Sequence, residues 1–262
     1  MSGRGNAAAA RLDRGGQALA RLLAPERTEP ANRDLGIVLA FVAGAANTIG
    51  FLHFHHYTSH LTGVLSNVAD DVSAGLWRAA LAGAGLLVVF LAGAATTAVL
   101  VNWGKRHDRH SVYGLPPFLE ALLLVAVAAL CAQPSAAAWR PAMAAGLLTF
   151  VMGLQNALIT KVANAVIRTT HVTGIVTDLG IELGKLMYVH RTEHPDPALR
   201  VHARSDRILL LSSLLAAFFG GGVGGGLGYR SVGALALVPL AVLLTGLALP
   251  HVLLDLRGHE PG

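Results

Sequence analysis

The residues best suited to bind a polar ligand occur twice in this chain, in two copies of one motif at residues 41–71 and 150–182. Each copy holds an asparagine, then hydroxyl residues beside one histidine, and then a Thr-Gly pair. Hydroxyls and amides can donate to and accept from a solute, and histidine can exchange a proton near neutral pH. The residues that we predict to contact a solute are Asn47, Thr58, Ser59, His60, Thr62 and Gly63 in the first copy, and Gln155, Asn156, Thr169, Thr170, His171, Thr173 and Gly174 in the second.

No arrangement typical of an enzyme accompanies the motif. The sequence has no nucleotide-binding glycine loop, no HExxH helix and no GxSxG turn. We therefore predict no catalytic residues, no cofactor and no resident metal. Four histidines within eight residues leave metal handling as a third, weaker hypothesis, although no acid or cysteine completes a recognised signature. These are His53, His55, His56 and His60.

The composition indicates that these residues lie in a membrane. The chain has 262 residues and is 53% hydrophobic and 13% charged, whereas soluble domains carry about 25% charged residues. Its apolar runs reach the roughly 20 residues that a bilayer core requires. We predict an all-α polytopic membrane protein with six transmembrane helices, at Leu35–Tyr57, Ala79–Trp103, Leu115–Gln133, Pro141–Thr160, Ile208–Tyr229 and Ser231–Leu254.

The basic residues predict the orientation of these spans. With a cytoplasmic N-terminus, 17 of the 20 Lys and Arg residues fall on the cytoplasmic side, and only Arg78, Arg140 and Arg230 fall outside. This bias follows the positive-inside rule and predicts two cytoplasmic tails, 1–34 and 255–262. The N-terminal tail is either unstructured or an interfacial helix on anionic lipid.

Each copy of the motif opens a unit of three predicted spans, residues 35–133 and residues 134–254. Because three is odd, the second unit must cross the membrane in the opposite sense, so the two units are inverted repeats. In secondary transporters built this way, the binding site lies near the midplane where the repeats meet. A stable helical bundle that arose by duplication and transports nothing is the alternative.

A short amphipathic segment follows the first span of each unit. Apolar residues recur at helical spacing within 61–72 and 172–186. Thr58, Ser59 and Thr62, like their equivalents in the second copy, are predicted helix N-caps. The two helices either lie flat on the membrane surfaces or re-enter the membrane, which requires that they be buried in protein or line a water-filled cavity.

Acidic residues near the ends of these segments are candidates for proton coupling. They are Asp71 in the first copy and Asp178 and Glu182 in the second. Carboxyl groups inside a membrane usually serve an ion or proton pathway. Lys185 follows Glu182 by three residues, so a simple surface ion pair is the alternative.

Seven glycines occupy nine positions from Gly220 to Gly228. Gly220, Gly224 and Gly228 form a small-residue face that predicts close helix packing. A hinge in the fifth span is the alternative, because glycine weakens helix interiors.

Several strings in both copies carry a resemblance to a known family. They are Gly44-x-x-Asn47-x-x-Gly50-Phe51-Leu52, Thr58-Ser59-His60-x-Thr62-Gly63, Gly153-Leu154-Gln155-Asn156-Ala157 and Arg168-Thr169-Thr170-His171-Val172-Thr173-Gly174. This pattern resembles the YoaK-like family of uncharacterised bacterial inner-membrane proteins over Leu35–Leu254. The resemblance implies about six spans in the bacterial inner (cytoplasmic) membrane. It implies no substrate, because the family is a domain of unknown function.

The observations together predict a secondary transporter of a small solute that works by alternating access between inverted repeats. An anion or zwitterion is favoured, because helix N-termini attract negative charge. The predicted partners are the lipid bilayer and a small-molecule solute, with no nucleic acid, and a homo-oligomer is compatible with the sequence. A non-transporting membrane scaffold or sensor is the alternative from another class.

Overall fold

The computed structural model describes residues 22–23, 28–132, 139–162, 169–188 and 201–257. Every regular element within them is helical. The predicted N-terminal interfacial helix lies outside the described residues. The helices are α1 (Glu29–Phe54), α2 (Leu61–Ser73), α3 (Trp77–Arg106), α4 (Leu115–Ala132), α5 (Trp139–Val162), α6 (Val172–Met187), α7 (Ser205–Val232) and α8 (Leu237–Arg257), with a 3-10 turn at Gly233–Ala236 between the last two.

The prediction of an all-helical fold is confirmed for the described residues. Five of their helical segments are long and apolar enough to cross a membrane, which is consistent with the predicted membrane protein. Four of them are α1, α3, α4 and α5. The fifth, Ser205–Asp255, has 51 residues, more than twice the roughly 20 that one crossing needs. It contains both α7 and α8. Gly233 separates them with a φ of 62°, which residues with a Cβ rarely adopt.

Local hydrogen bonds and backbone conformation determine both ends of α1. Thr28 is its N-cap and accepts a hydrogen bond from the N–H of Ala31 at 3.4 Å, and a proline lies in the first turn. At the other end His55 adopts the left-handed conformation, with a φ of 60°, and its N–H donates to Phe51 O at 2.8 Å. The chain leaves α1 sharply at this point, and the following residues are free to return along it.

α1 packs along α7 over most of its length, and the two helices are parallel. Phe41 contacts Gly221, and Ala45, one turn later, contacts Gly225. A methyl group at Gly221 would collide with the carbonyl oxygen of Phe41. Glycine therefore lets the two backbones touch, as in many membrane helix pairs.

α3 packs along α5 in the same manner, and this pair is also parallel. Gly93 contacts the carbonyl of Phe150. One turn later the hydroxyl of Thr97 donates to Leu154 O at 2.9 Å. Thr97 is fully buried, so this hydrogen bond also satisfies a polar group that would otherwise be costly inside the protein.

A smaller contact joins α1 to α5, and these two helices are antiparallel. Gln155 donates through Nε2 to Leu39 O at 2.9 Å, whereas Gly50, later in α1, faces Leu148, earlier in α5. The order of contacts is therefore reversed along the two helices.

α4 and α8 are antiparallel as well. Gly114, at the start of α4, contacts Ala248 near the end of α8, whereas Cys131 and Leu235 line one small cavity at the opposite ends. Beside the start of α4, Ser111 donates through its N–H and its hydroxyl to the carboxylate of Asp255.

The glycine-rich part of α7 packs on a different face from the predicted one. Gly221 and Gly225 contact α1, whereas nothing lies within 4 Å of a Cβ built at Gly220. α7 is one uninterrupted helix through this run, so the hinge alternative is not realised there. The observed packing face, Gly221 and Gly225, lies one residue along the helix from the predicted face. Seven glycines within nine positions have no side-chain pattern from which the packing face could be predicted.

Each short helix forms a hairpin with the long helix that follows it. In the first copy, Val68 of α2 faces Gly83 of α3. In the second, the carboxylate of Asp178 in α6 pairs with the guanidinium of Arg207 in α7 at 2.9 Å. α2 contains no buried residue, so one side of it is open.

Candidate functional site

Asn47 positions the start of α2 beside the interior of α1. Its Oδ1 accepts two hydrogen bonds from Ser59, one from the backbone N–H at 3.2 Å and one from the hydroxyl at 3.0 Å. Asn47 lies seven residues before the last residue of α1, Phe54, which is about 10 Å along the helix axis. The chain after α1 therefore folds back along it, and α2 starts at the level of Asn47.

Asn156 positions the start of α6 beside α5 in the second copy. Its Oδ1 accepts a hydrogen bond from the hydroxyl of Thr170, the residue equivalent to Ser59. Asn156 lies six residues before the end of α5 at Val162, so α6 also starts well inside the length of a long helix. Its Nδ2 donates to Met152 O at 2.7 Å.

Neither short helix has the side-chain N-cap that the hydroxyl residues predicted. His60 and His171 occupy the N-cap positions, and neither side chain bonds to the first turn. Ser59 and Thr170 each lie one residue before the N-cap position, and their hydroxyls donate to the asparagines. The first-turn N–H groups of both helices are therefore uncapped, and such a terminus carries about half a positive charge.

Both uncapped helix starts open into one cavity of about 990 Å³. Residues from α1, α2, α6 and α7, together with one residue of α3, line it, so it draws on both copies of the motif. Its described polar lining consists of Asn47, Thr48, Tyr57, Ser59, His60, Thr62, Thr170, His171, Thr173 and Arg230, and its apolar lining includes Leu52, Leu61, Phe90, Val172, Leu215, Phe218, Phe219, Val223 and Leu227.

Eight of the thirteen predicted solute-contacting residues line this cavity: Asn47, Ser59, His60, Thr62, Thr170, His171, Thr173 and Gly174. The other five lie behind it. Thr58 and Thr169 are buried, and within the described chain their hydroxyls have no hydrogen-bond partner. Gln155 ties α5 to α1, Asn156 holds Thr170, and Gly63 leaves room for the His60 ring, with which a Cβ would collide.

Sequence reasoning missed Arg230, which lies near the end of α7 and lines the cavity. Arg230 belongs to neither copy of the motif, so the sequence identifies it only as one of three basic residues on the outer side. The described residues that line the cavity include no Asp or Glu. The charge of Arg230 therefore faces a cavity with no acidic wall.

The three predicted proton-coupling acids are not among the residues that line the cavity. Asp71 lies ten residues into α2, about 15 Å from its start. Asp178 pairs with Arg207 at 2.9 Å. Glu182 accepts hydrogen bonds from the N–H of Arg204 at 3.0 Å and from Lys185 Nζ at 2.9 Å.

The N–H of Arg204, and then Lys185, hold the pKa of Glu182 below its ordinary value. The ion pair between Glu182 and Lys185 is the alternative that the sequence left open. A carboxylate held in its charged form by two donors is a poor proton carrier near neutral pH.

The four clustered histidines do not converge on one point. His53 Nδ1 lies 3.1 Å from the hydroxyl of Tyr229, and His56 Nδ1 lies 3.1 Å from Phe54 O. His60 folds over the first turn of α2. In the part of the chain that the structure describes, no group of three or more His, Cys, Asp or Glu is placed to hold a metal. The arrangement lends no support to the metal-handling hypothesis.

The fold and the cavity define a helical membrane protein with a recess between its helices whose described polar lining contains no acid. The chain belongs to the family described as "Protein of unknown function (DUF1275)", whose family model matches residues 35–249. That range includes all of α2 to α7 and most of α1 and α8. The comparison with curated proteins gave no match, and neither did the comparison with solved structures.

Proposed function

We propose that this protein is a six-span secondary transporter that carries a small solute by alternating access between two inverted repeats, residues 35–133 and 134–254. One observation carries the proposal: the starts of α2 and α6, one from each repeat, line the same cavity. In transporters with broken or half-length helices, the solute binds at such helix ends near the midplane.

Helix directions support inverted repeats. The equivalent helices α1 and α5 are antiparallel, and so are α4 and α8. Equivalent contacts recur between the halves: Gly44 packs on the carbonyl of Phe218, and Gly153, its partner in the alignment, packs on the carbonyl of Phe90. The six spans are α1, α3, α4, α5, α7 and α8, with Gly233 separating the last two.

The packing also suggests which parts move. The pairs α1–α7 and α3–α5 have extensive backbone contact along glycines, whereas α1 touches α5 over a smaller area. Packed helix pairs move as rigid units. We therefore assign alternating access to a rocking of the pair α1–α7 against the pair α3–α5. This motion would expose the cavity to one side of the membrane and then to the other.

The orientation follows the basic residues. Cytoplasmic N- and C-termini would leave α2 on the outer side of the cavity and α6 on the inner side. The resemblance to the YoaK-like family favours a bacterial inner membrane. A non-transporting scaffold or sensor would need neither the cavity nor two helix starts that meet in it.

Reconstituted protein tests the function. We expect proteoliposomes to take up at least one solute from a panel of radiolabelled monocarboxylates, amino acids and inorganic anions. The double variant Thr62→Val and Thr173→Val should lose that uptake, because both hydroxyls line the cavity. Thr96→Val is the matched control, since the Thr96 hydroxyl donates to Ala92 O of its own helix at 2.8 Å.

Unchanged uptake in the double variant would remove these two residues from the mechanism. No uptake of any solute by folded, reconstituted protein would favour the scaffold or sensor.

A further inference from the structure

We propose that the cavity selects a small monocarboxylate with an apolar body, and that Asn47 and Arg230 recognise its charge. This inference rests on the proposed function, because it names the class of solute that the same cavity would carry. It separates the anion from the zwitterion, which the sequence could not do.

The first argument is an amide donor without an acceptor. Asn47 is 8% exposed and lines the cavity. Its Oδ1 accepts two hydrogen bonds from Ser59, so the oxygen and the nitrogen of the amide are assigned unambiguously. Its Nδ2 donates to none of the described residues. Nδ2 is not among the buried unpaired atoms of the structure, so it is accessible at the cavity wall and can donate to an acceptor on a bound ligand.

The second argument is that the other copy of the motif lacks this unpaired donor. Nδ2 of Asn156 donates to Met152 O, and Asn156 is not among the residues that line the cavity. The two asparagines thus differ in function although they align in sequence. The recognition site is therefore asymmetric, with Asn47 as its amide donor.

The third argument comes from the charges around the cavity. The uncapped starts of α2 and α6 add partial positive charge to that of Arg230. Arg230 has no acidic partner among the described residues, and no described lining residue is acidic. The ammonium group of an amine or an amino acid would find no counter-charge here and would lose its hydration without compensation.

The walls narrow the class further. One guanidinium and two helix termini, each worth about half a charge, together supply roughly two positive charges, so the positive charge is sufficient for an anion and the walls decide which anion fits. The apolar wall includes Phe90, Leu215, Phe218 and Phe219. Apolar side chains favour a ligand with an apolar body, as in most small-molecule sites.

Four probes of one carbon skeleton test this inference: butyrate, 2-aminobutyrate, butylamine and butanol. The first carries only a carboxylate, the second adds an ammonium group, the third carries only the ammonium group and the fourth has no charge. Saturable binding to the purified full-length protein in detergent would be measured by calorimetry. We expect butyrate to bind, 2-aminobutyrate to bind at least about tenfold more weakly, and the other two to show no saturable binding.

Two variants test the residues. Asn47→Asp keeps an oxygen for Ser59 but turns the cavity-facing donor into a carboxylate oxygen, so butyrate binding should be lost. Asn102→Asp is the matched control and should bind butyrate as the parent does, because Asn102 is exposed on α3 and is not among the residues that line the cavity. Arg230→Gln should weaken butyrate binding by about two- to fivefold, because the Arg230 side chain is exposed and its attraction for an anion is screened by solvent.

Equal binding of butyrate and 2-aminobutyrate, or of butyrate and butanol, would overturn the inference, as would the absence of butyrate binding. Equal loss in Asn47→Asp and Asn102→Asp would also overturn it. Butyrate binding without uptake into liposomes would instead reject the transporter and leave the monocarboxylate site standing. Uptake of another solute without butyrate binding would reject this inference and leave the transporter standing.

Discussion

Asn47 and Asn156 illustrate how one residue type acquires two roles. Both accept a hydrogen bond from the residue that precedes the N-cap histidine, Ser59 or Thr170. Both thereby hold a short helix inside the length of a long one. Only Asn47 keeps its amide N–H groups for the cavity. Under the proposed function, both copies of the motif retain the structural contact, and the first copy alone supplies an amide donor to the ligand.

Glu120 in α4 gives a prediction for a single buried residue. It is 1% exposed, and neither carboxyl oxygen bonds to a described residue. An unpaired carboxylate costs several kcal/mol to bury, so an uncharged side chain of the same shape should suit this position. We expect Glu120→Gln to melt at or above the temperature of the parent, as followed by tryptophan fluorescence in detergent.

Asp255→Asn is the contrasting control. Asp255 accepts hydrogen bonds from the N–H groups of His110 and Ser111 and from the Ser111 hydroxyl. The loss of these charged acceptors should destabilise the protein by about 1–3 kcal/mol. If Glu120→Gln were destabilised as much as Asp255→Asn, Glu120 would not be an unpartnered group.

At the scale of helices, glycine determines how closely the long helices approach. Gly153 of α5 packs against the carbonyl of Phe90 in α3, whereas no atom lies within 4 Å of a Cβ built at Gly146 on the same helix. We expect Gly153→Ala to destabilise the protein by about 1–3 kcal/mol through overpacking against backbone. Gly146→Ala should be neutral or stabilising by up to about 1 kcal/mol, because alanine favours the helix.

Unfolding of both variants in a denaturing detergent would measure this difference. Equal stability of Gly153→Ala and Gly146→Ala would contradict the close contact between α3 and α5.

The helices were easier to predict than their contacts. All six predicted apolar segments lie within or overlap observed helices, because hydropathy is a property of each segment alone. The position along α1 beside which α2 starts could not be predicted from the sequence. It depends on the hydrogen bonds from Ser59 to Asn47, which form only when the chain folds. Arg230 was missed for a related reason. The packing of α7 against the other helices brings it to the cavity, and no local sequence pattern marks it.

At the scale of the whole molecule, the proposed inverted arrangement predicts that equivalent positions lie on opposite sides of the membrane. Cys131 is the one cysteine of the sequence, so a Cys131→Ala background permits single-cysteine labelling. In intact cells, a membrane-impermeant maleimide should label Ala74→Cys, after α2. It should label Tyr188→Cys, after α6, only when the membrane is permeabilised. Both side chains are exposed in the structure.

Labelling of both positions from the same side would show that the two repeats have the same orientation. The inverted architecture would then fail, and the shared cavity would need another explanation.

The pairing of α1 with α7 also has a consequence for biosynthesis. Gly44 and its contact Phe218 are separated by more than 170 residues of chain, which a ribosome adds in roughly 10–35 s. Throughout that interval the nascent α1 presents a bare glycine surface without its final neighbour. The membrane's quality-control machinery therefore has a long window in which to intercept this protein.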